Sequence, residues 1–118
     1  MDGVLADSEP LHQDVIRLLL AEFGVDWSPD GRDPTVGMTS REAFAVICSL
    51  HALPHQPQHL DALYTERVLP VLRERVTPMP GVPHVLRALR ARGVRLAVAS
   101  SSSPAVIETT LAALGQDG

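Results

Sequence analysis

GVRLAVASSSSP, residues 93–104, is the stretch on which the reading of this chain turns. Gly93 precedes an apolar run through Val94, Leu96, Ala97, Val98 and Ala99, and four serines and Pro104 follow it. A short β-branched run between turn formers has the pattern of a buried strand. Ser103-Pro104 has the pattern of a helix start, because Pro is tolerated where an N–H needs no partner. That helix is expected to end near Leu114-Gly115, and another from about Pro83 to Arg92 to stop at Gly93. Helix, strand and helix in succession is the rhythm of a parallel α/β sheet. One strand cannot form a sheet, so its partners are expected from outside the chain or from another copy, and an unpaired edge of this kind invites aggregation.

Upstream the texture is helical. Leu11, Val15, Leu18, Leu19 and Phe23 recur at helical spacing between Ser8, which can cap the start, and Gly24, which suits a left-handed stop. DWSPDGRDPTVG, residues 26–37, is dense in Pro, Gly and Asp and reads as a connector. Thr39-Ser40-Arg41-Glu42 is a capping box, and it opens a helix running to about His51 with Phe44, Ile47 and Leu50 on one side. A third helix is expected from about Gln58 to Arg75, its apolar face built from Leu60, Leu63, Tyr64, Val68, Val71 and Leu72. Pro70 should kink or divide it. Thr77-Pro78-Met79-Pro80-Gly81 then reads as a connector between subdomains.

Composition narrows the function classes. The 118 residues are 45% hydrophobic and 20% charged, which fits one compact domain or part of a larger one. All ten basic residues are Arg, scattered rather than gathered on a face, and the net charge is -4, which argues against nucleic acid as a partner. Lone Cys48 cannot form an internal disulfide, suits a reducing compartment and points to a cytoplasmic address. Its apolar neighbours read it as a small buried hydrophobe. No apolar run is long enough to span a bilayer, and no basic-then-apolar leader is visible, so no membrane partner is expected.

The start of the chain, MDGVLADSEPLH at residues 1–12, carries the chemistry. Asp2-Gly3-Val4-Leu5 with Asp7-Ser8-Glu9 resembles the first motif of the haloacid dehalogenase superfamily, an apolar strand followed by D-x-D-G-V-L. Met1 falls at the variable position and Asp2 at the second aspartate. In that family the first Asp attacks phosphorus, and the second exchanges a proton with the leaving or attacking oxygen. The resemblance therefore implies that Asp2 is the proton-transfer residue, with its backbone carbonyl a ligand of Mg²⁺. The first aspartate would stand one residue before Met1, so the chain is expected to carry the signature without the reactivity.

Residues 95–102 resemble the family's second motif, an apolar strand ending in Ser or Thr. Ser100 would donate to a phosphate oxygen, and the backbone N–H groups near Ser101 and Ser102 would add to the cradle. Four consecutive serines also fit a flexible linker. Asp7 to His12 and Gly37 to Glu42 resemble segments of the β-phosphoglucomutase-like and sugar-phosphate phosphatase branch. Arg41 inherits a phosphate- or sugar-facing role there, although it also fits a solvated first-turn Arg. His12 inherits a place beside the proton-transfer Asp. His51, His55 and His59 recur every four residues, but Pro54 and Pro57 interrupt any helix across them, so they read as exposed loop histidines.

The resemblance implies an α/β fold: an incomplete Rossmann-like core with an inserted α-helical cap. Residues 1–13 would begin the core with a partial first motif, 14–76 would form the cap, and 77–118 would return to the core with the second motif. The third-motif Lys and fourth-motif acidic pair have no counterpart, and the chain contains no Lys. The implied activity is transfer of a phosphoryl group from a small phosphorylated metabolite, such as a sugar phosphate, through an aspartyl phosphate. The alternative is a non-catalytic interaction or regulatory module built on the helical portion.

Overall fold

Leu60, Tyr64, Val68 and Leu72 are spaced every four residues, and in the computed structural model, which describes residues 1–28 and 33–116, they form one buried stripe. Their helix, α3 (Pro57–Arg75), is the axis against which α1 (Glu9–Ala21), α2 (Ser40–Leu50) and α5 (Pro104–Ala113) pack. Side chains four apart lie on one face of a helix, so a stripe of this length is wide enough to seat several neighbours. Pro70 does not divide α3, and it lies on the exposed side of the helix.

α1 contributes Leu11, Val15, Leu19 and Leu20 to the same core, while Leu18, expected on that face, is 62% exposed. The helix stops as its sequence predicts. Gly24 adopts φ +77°, and the Val25 N–H reaches back to the Leu20 carbonyl at 3.0 Å, closing a left-handed terminus that any side chain would strain. The connector that follows is not wholly at the surface. Val25 and Trp27 turn inward and are 6% and 7% exposed. Its Pro29 to Arg32 portion lies outside the described residues.

The expected capping box opens α2: Thr39 Oγ1 accepts from the Glu42 N–H at 3.3 Å, and the Glu42 carboxylate accepts from the Thr39 N–H at 2.9 Å. Phe44, Ile47 and Cys48 are buried, whereas Leu50, expected beside them, is 61% exposed. His59 lies within α3, and half-buried His55 packs edge-on against Phe23, so these histidines are not all exposed loop residues.

The strands β1 (Ala6–Asp7) and β2 (Thr77–Pro78) pair antiparallel, Ala6 with Pro78 and Asp7 with Thr77, where the chain enters and leaves the helical layer. Beyond them α4 (Val82–Ala91) has no buried residue. The buried strand expected at 94–99 does not form: these residues have no strand structure, and Val94, Leu96 and Val98 are 46%, 40% and 41% exposed. A strand is stabilised by a ladder, and among the described residues no strand pairs with this segment. The resulting α/β arrangement is elongated, with a radius of gyration of 15.8 Å against the roughly 13.5 Å typical of a compact domain of this length. No described helix is long and apolar enough to cross a membrane.

Urea unfolding checks this division of the core. Leu72→Ala, at a fully buried position, is expected to lose about 2–5 kcal/mol. Val85→Ala, at a position 52% exposed on α4, is expected to lose no more than about 0.5 kcal/mol. Losses of equal size would mean that α4 is covered.

Candidate active site

The turn after Met1 is tight. The Met1 carbonyl accepts from the N–H groups of Val4, Leu5 and Ala6 at 3.2, 2.8 and 3.3 Å, and the Gly3 N–H donates to the Ala6 carbonyl at 2.8 Å. Gly3 holds φ +74° with open space where a side chain would sit, so the constraint there is backbone conformation rather than room. The turn fixes the direction of Asp2, and three side chains from distant segments converge on its carboxylate.

Ser8 is the first. Its backbone begins α1, with the carbonyl accepting from Leu11 and His12. At φ -110°, ψ -19° it does not have the extended geometry that aims a capping side chain at the first-turn N–H groups. Its fully buried hydroxyl instead donates to Asp2 Oδ1 at 2.5 Å. His12 stands four residues on, on the same helix face, and its Nε2 lies 3.2 Å from the same oxygen. The third donor is Ser102, whose Oγ lies 3.0 Å from Asp2 Oδ2 across a separation of 100 residues. Behind His12, Nδ1 meets the Tyr64 hydroxyl of α3, whose ring packs edge-on against Phe44.

Partial burial opposes ionisation of Asp2. Hydrogen bonds from His12, Ser8 and Ser102, with the charge a protonated His12 would carry, outweigh it and hold the carboxyl well below its ordinary value of 3.8. Tyr64 moves the other way. Burial, reinforced by the negative charges of Asp2, Glu9 and Asp61, raises its phenol and keeps it a donor at neutral pH.

Asp2 and His12 stand on the wall of an open cleft of about 510 Å³, also lined by Ser100, Ser101, Ser102 and Ser103, by Tyr64, and by Gly37 to Ser40. The structure thus brings Asp2, His12, Ser100 and Ser101 to one cleft. Ser100 Oγ accepts from the Ser102 N–H at 3.2 Å, which holds the serine loop. Arg41 is not among the cleft-lining residues; its guanidinium is 67% exposed, with Nε 4.0 Å from Asp61. Three site residues are not legible in the sequence: Ser8 reads only as a helix cap, Ser102 only through its backbone, and Tyr64 only as part of an apolar face. The i, i+4 spacing of Ser8 and His12 was the one available signal for a polar face on α1.

These donors do not suit the Mg²⁺ implied by the resemblance. Asp2 Oδ1 and Oδ2 both already accept hydrogen bonds, and among the described residues no three His, Cys, Asp or Glu side chains gather as a metal group would require. The residues present do not complete a metal site.

A family model for haloacid dehalogenase-like hydrolases matches residues 1–118. The chain belongs to this family. Among curated relatives it is similar to the fructose-1-phosphate phosphatase YqaB of Escherichia coli (strain K12), with 30% identity over 115 residues, 98% of this chain and 60% of that one. It is also similar to a phosphorylated carbohydrates phosphatase of Thermotoga maritima, with 26% identity over 102 residues, 86% of this chain and 47% of that one. Among solved structures it is similar to CbbY from Rhodobacter sphaeroides in complex with phosphate, with a TM-score of 0.82, 26% identity, and coverage of 98% of this chain and 54% of that one. The chain spans less than two thirds of each of these proteins' own length.

The Asp2 network has a pH signature. A carboxylate whose folded value is depressed stabilises the fold above its unfolded value, and that stabilisation is lost as pH falls through 3.8 toward the folded value. Melting temperatures of the protein and of Asp2→Asn, measured from about pH 6 to about pH 3, are expected to converge as acid is added. A gap that stays constant or widens in acid would contradict the network.

Proposed function

We propose that the protein is a phosphohydrolase of small phosphorylated metabolites, sugar monophosphates foremost, with Asp2 as its proton-transfer residue. The observation that carries this is the Ser102 to Asp2 hydrogen bond, which joins the first-motif carboxylate to the second-motif serine loop in one cleft. The names of two relatives, for fructose 1-phosphate and for phosphorylated carbohydrates, support the substrate class. In this reading residues 14–76, which hold all of α2 and α3 and α1 from Asp14 on, are the cap over core segments 1–13 and 77–118. The buried Cys48 fits a cytoplasmic protein.

The chemistry runs in two displacements. An aspartate carboxylate oxygen bonds to phosphorus as the P–O bond to the sugar breaks, and the departing alkoxide takes a proton from Asp2. Water then attacks the aspartyl phosphate, its proton passing to Asp2 as the acyl phosphate P–O bond breaks, which releases inorganic phosphate and restores the acid. Three hydrogen bonds to the Asp2 carboxylate favour its basic form, which suits the second step. A dianionic phosphate ester entering the cleft raises the Asp2 pKa by like-charge repulsion, which prepares it for the first. In this scheme Ser100 and Ser101, which line the cleft, donate to the phosphoryl oxygens, and any contribution from Arg41 requires its side chain to leave Asp61.

Phosphate release from sugar monophosphates with Mg²⁺ tests the reading. The 118-residue polypeptide is expected to release none above the blank, because the attacking aspartate of this scheme is not among its residues. Grafted in place of the matching segment of the Escherichia coli fructose-1-phosphate phosphatase, these residues are expected to support turnover. Asp2→Asn in the graft is then expected to lower kcat by about 10²–10⁴. A graft that turns over equally fast with Asn at that position removes Asp2 from the chemistry.

A further inference from the structure

The buried stripe of α3 is apolar at Leu60, Val68 and Leu72, and only Tyr64 carries a polar atom into it. A Phe ring would fill the same space against Phe44, so packing alone does not call for the hydroxyl. That hydroxyl meets His12 Nδ1, and among the hydrogen bonds of the described residues it has no other partner. His12 is itself 9% exposed and faces Asp2 through its other nitrogen.

We propose that Tyr64 is a positioning residue: donating from α3 to His12 Nδ1, it fixes the imidazole as the Nε2–H tautomer and aims that N–H at Asp2. The alternatives are worse paired. With the proton on Nδ1, the Nε2 lone pair would face the Asp2 carboxylate at 3.2 Å, acceptor against acceptor, and the phenol would have to turn its own proton elsewhere. With both nitrogens protonated, the Tyr64 oxygen would become an acceptor, and its proton would have no partner among the described side chains. Only the Nε2–H tautomer lets each group in the chain of Tyr64, His12 and Asp2 donate to the next. Burial and the nearby carboxylates keep the phenol protonated, so it remains able to donate. The helical layer is thereby coupled to the motif turn: the rotation of the His12 ring is set from α3, although the ring itself is carried by α1.

Any effect of this coupling on catalysis rests on the proposed role of Asp2; the tautomer does not. Long-range proton–nitrogen correlation spectra of the ¹⁵N-labelled 118-residue polypeptide read the tautomer directly, with His12 assigned by the loss of its signals in His12→Gln. The protein is expected to show His12 as a single Nε2–H tautomer. It is also expected to show a slowly exchanging Tyr64 hydroxyl proton coupled to His12 Nδ1, a readout that needs no variant. Tyr64→Phe is expected to lose the single-tautomer pattern and show an average of the two neutral forms. An Nδ1–H or doubly protonated His12 in the protein, or an unchanged pattern in Tyr64→Phe, would overturn the assignment. In the graft, Tyr64→Phe is expected to lower kcat while leaving KM unchanged. If the tautomer result holds and Asp2→Asn leaves the graft's turnover intact, the proposed function fails and the positioning role stands.

Discussion

A carboxylate with a side chain only 20% exposed is tolerated in a protein when hydrogen bonds replace the water it has lost, and Asp2 draws three of them from two parts of the chain. Ser8 and His12 come from the first turns of α1, and Ser102 from the loop that leads into α5. The requirement is mutual. Ser8 gives up its capping role to supply a donor, and His12 can be nearly buried in the cleft wall because both of its ring nitrogens are engaged. Through Tyr64 the same requirement reaches α3, so the polar network and the apolar stripe of the long helix are held in register by one side chain that belongs to both.

What could be read from the sequence follows the range of the interactions involved. The Thr39 and Glu42 capping box, the Gly24 stop and the start at Pro104 are settled within a few residues, and the structure has them where local chemistry predicts. The α3 stripe was legible for the same reason, since its period is a property of the helix. Leu18 and Leu50 were not, because periodicity names an apolar face without saying how far a neighbour covers it. Trp27 was missed because Pro, Gly and Asp around it read as a surface connector, whereas one large apolar side chain is enough to draw that stretch inward. At the site, Asp2, His12, Ser100 and Ser101 were named through motif resemblance. Ser102 and Tyr64 depend on contacts across 100 and 52 residues, which no local pattern encodes.

Residues 94–99 show the limit in its sharpest form. Their sequence satisfies every local criterion for a buried strand, yet strand formation is a pairing and not a property of the strand alone. Unpaired with any strand among the described residues, Val94, Leu96 and Val98 line an open groove of about 500 Å³ with Leu5, Val82, Leu86 and Leu111. A helix completes its hydrogen bonds internally and needs neighbours only for its apolar face, whereas a strand needs them for both. That difference explains why α4 and α5 form on either side of a segment that does not become a strand.

The same distinction bears on how the serine loop is held. Without a ladder beneath it, the backbone before Ser100 cannot fix the loop, and other contacts take that part: Ser100 Oγ accepting from the Ser102 N–H, Ser102 Oγ donating to Asp2, and α5 packing against α3. Of the two polar contacts only that from Ser102 Oγ reaches Asp2, and through it the order of the loop is tied to the ionisation of that carboxylate. A protonated Asp2 keeps fewer lone pairs for its three donors, and Ser102, the donor from the segment least supported by its own secondary structure, has the least holding it in place. The negative charge on Asp2 is therefore a structural element of the loop that approaches it, as well as the group whose proton exchange the proposed reaction requires.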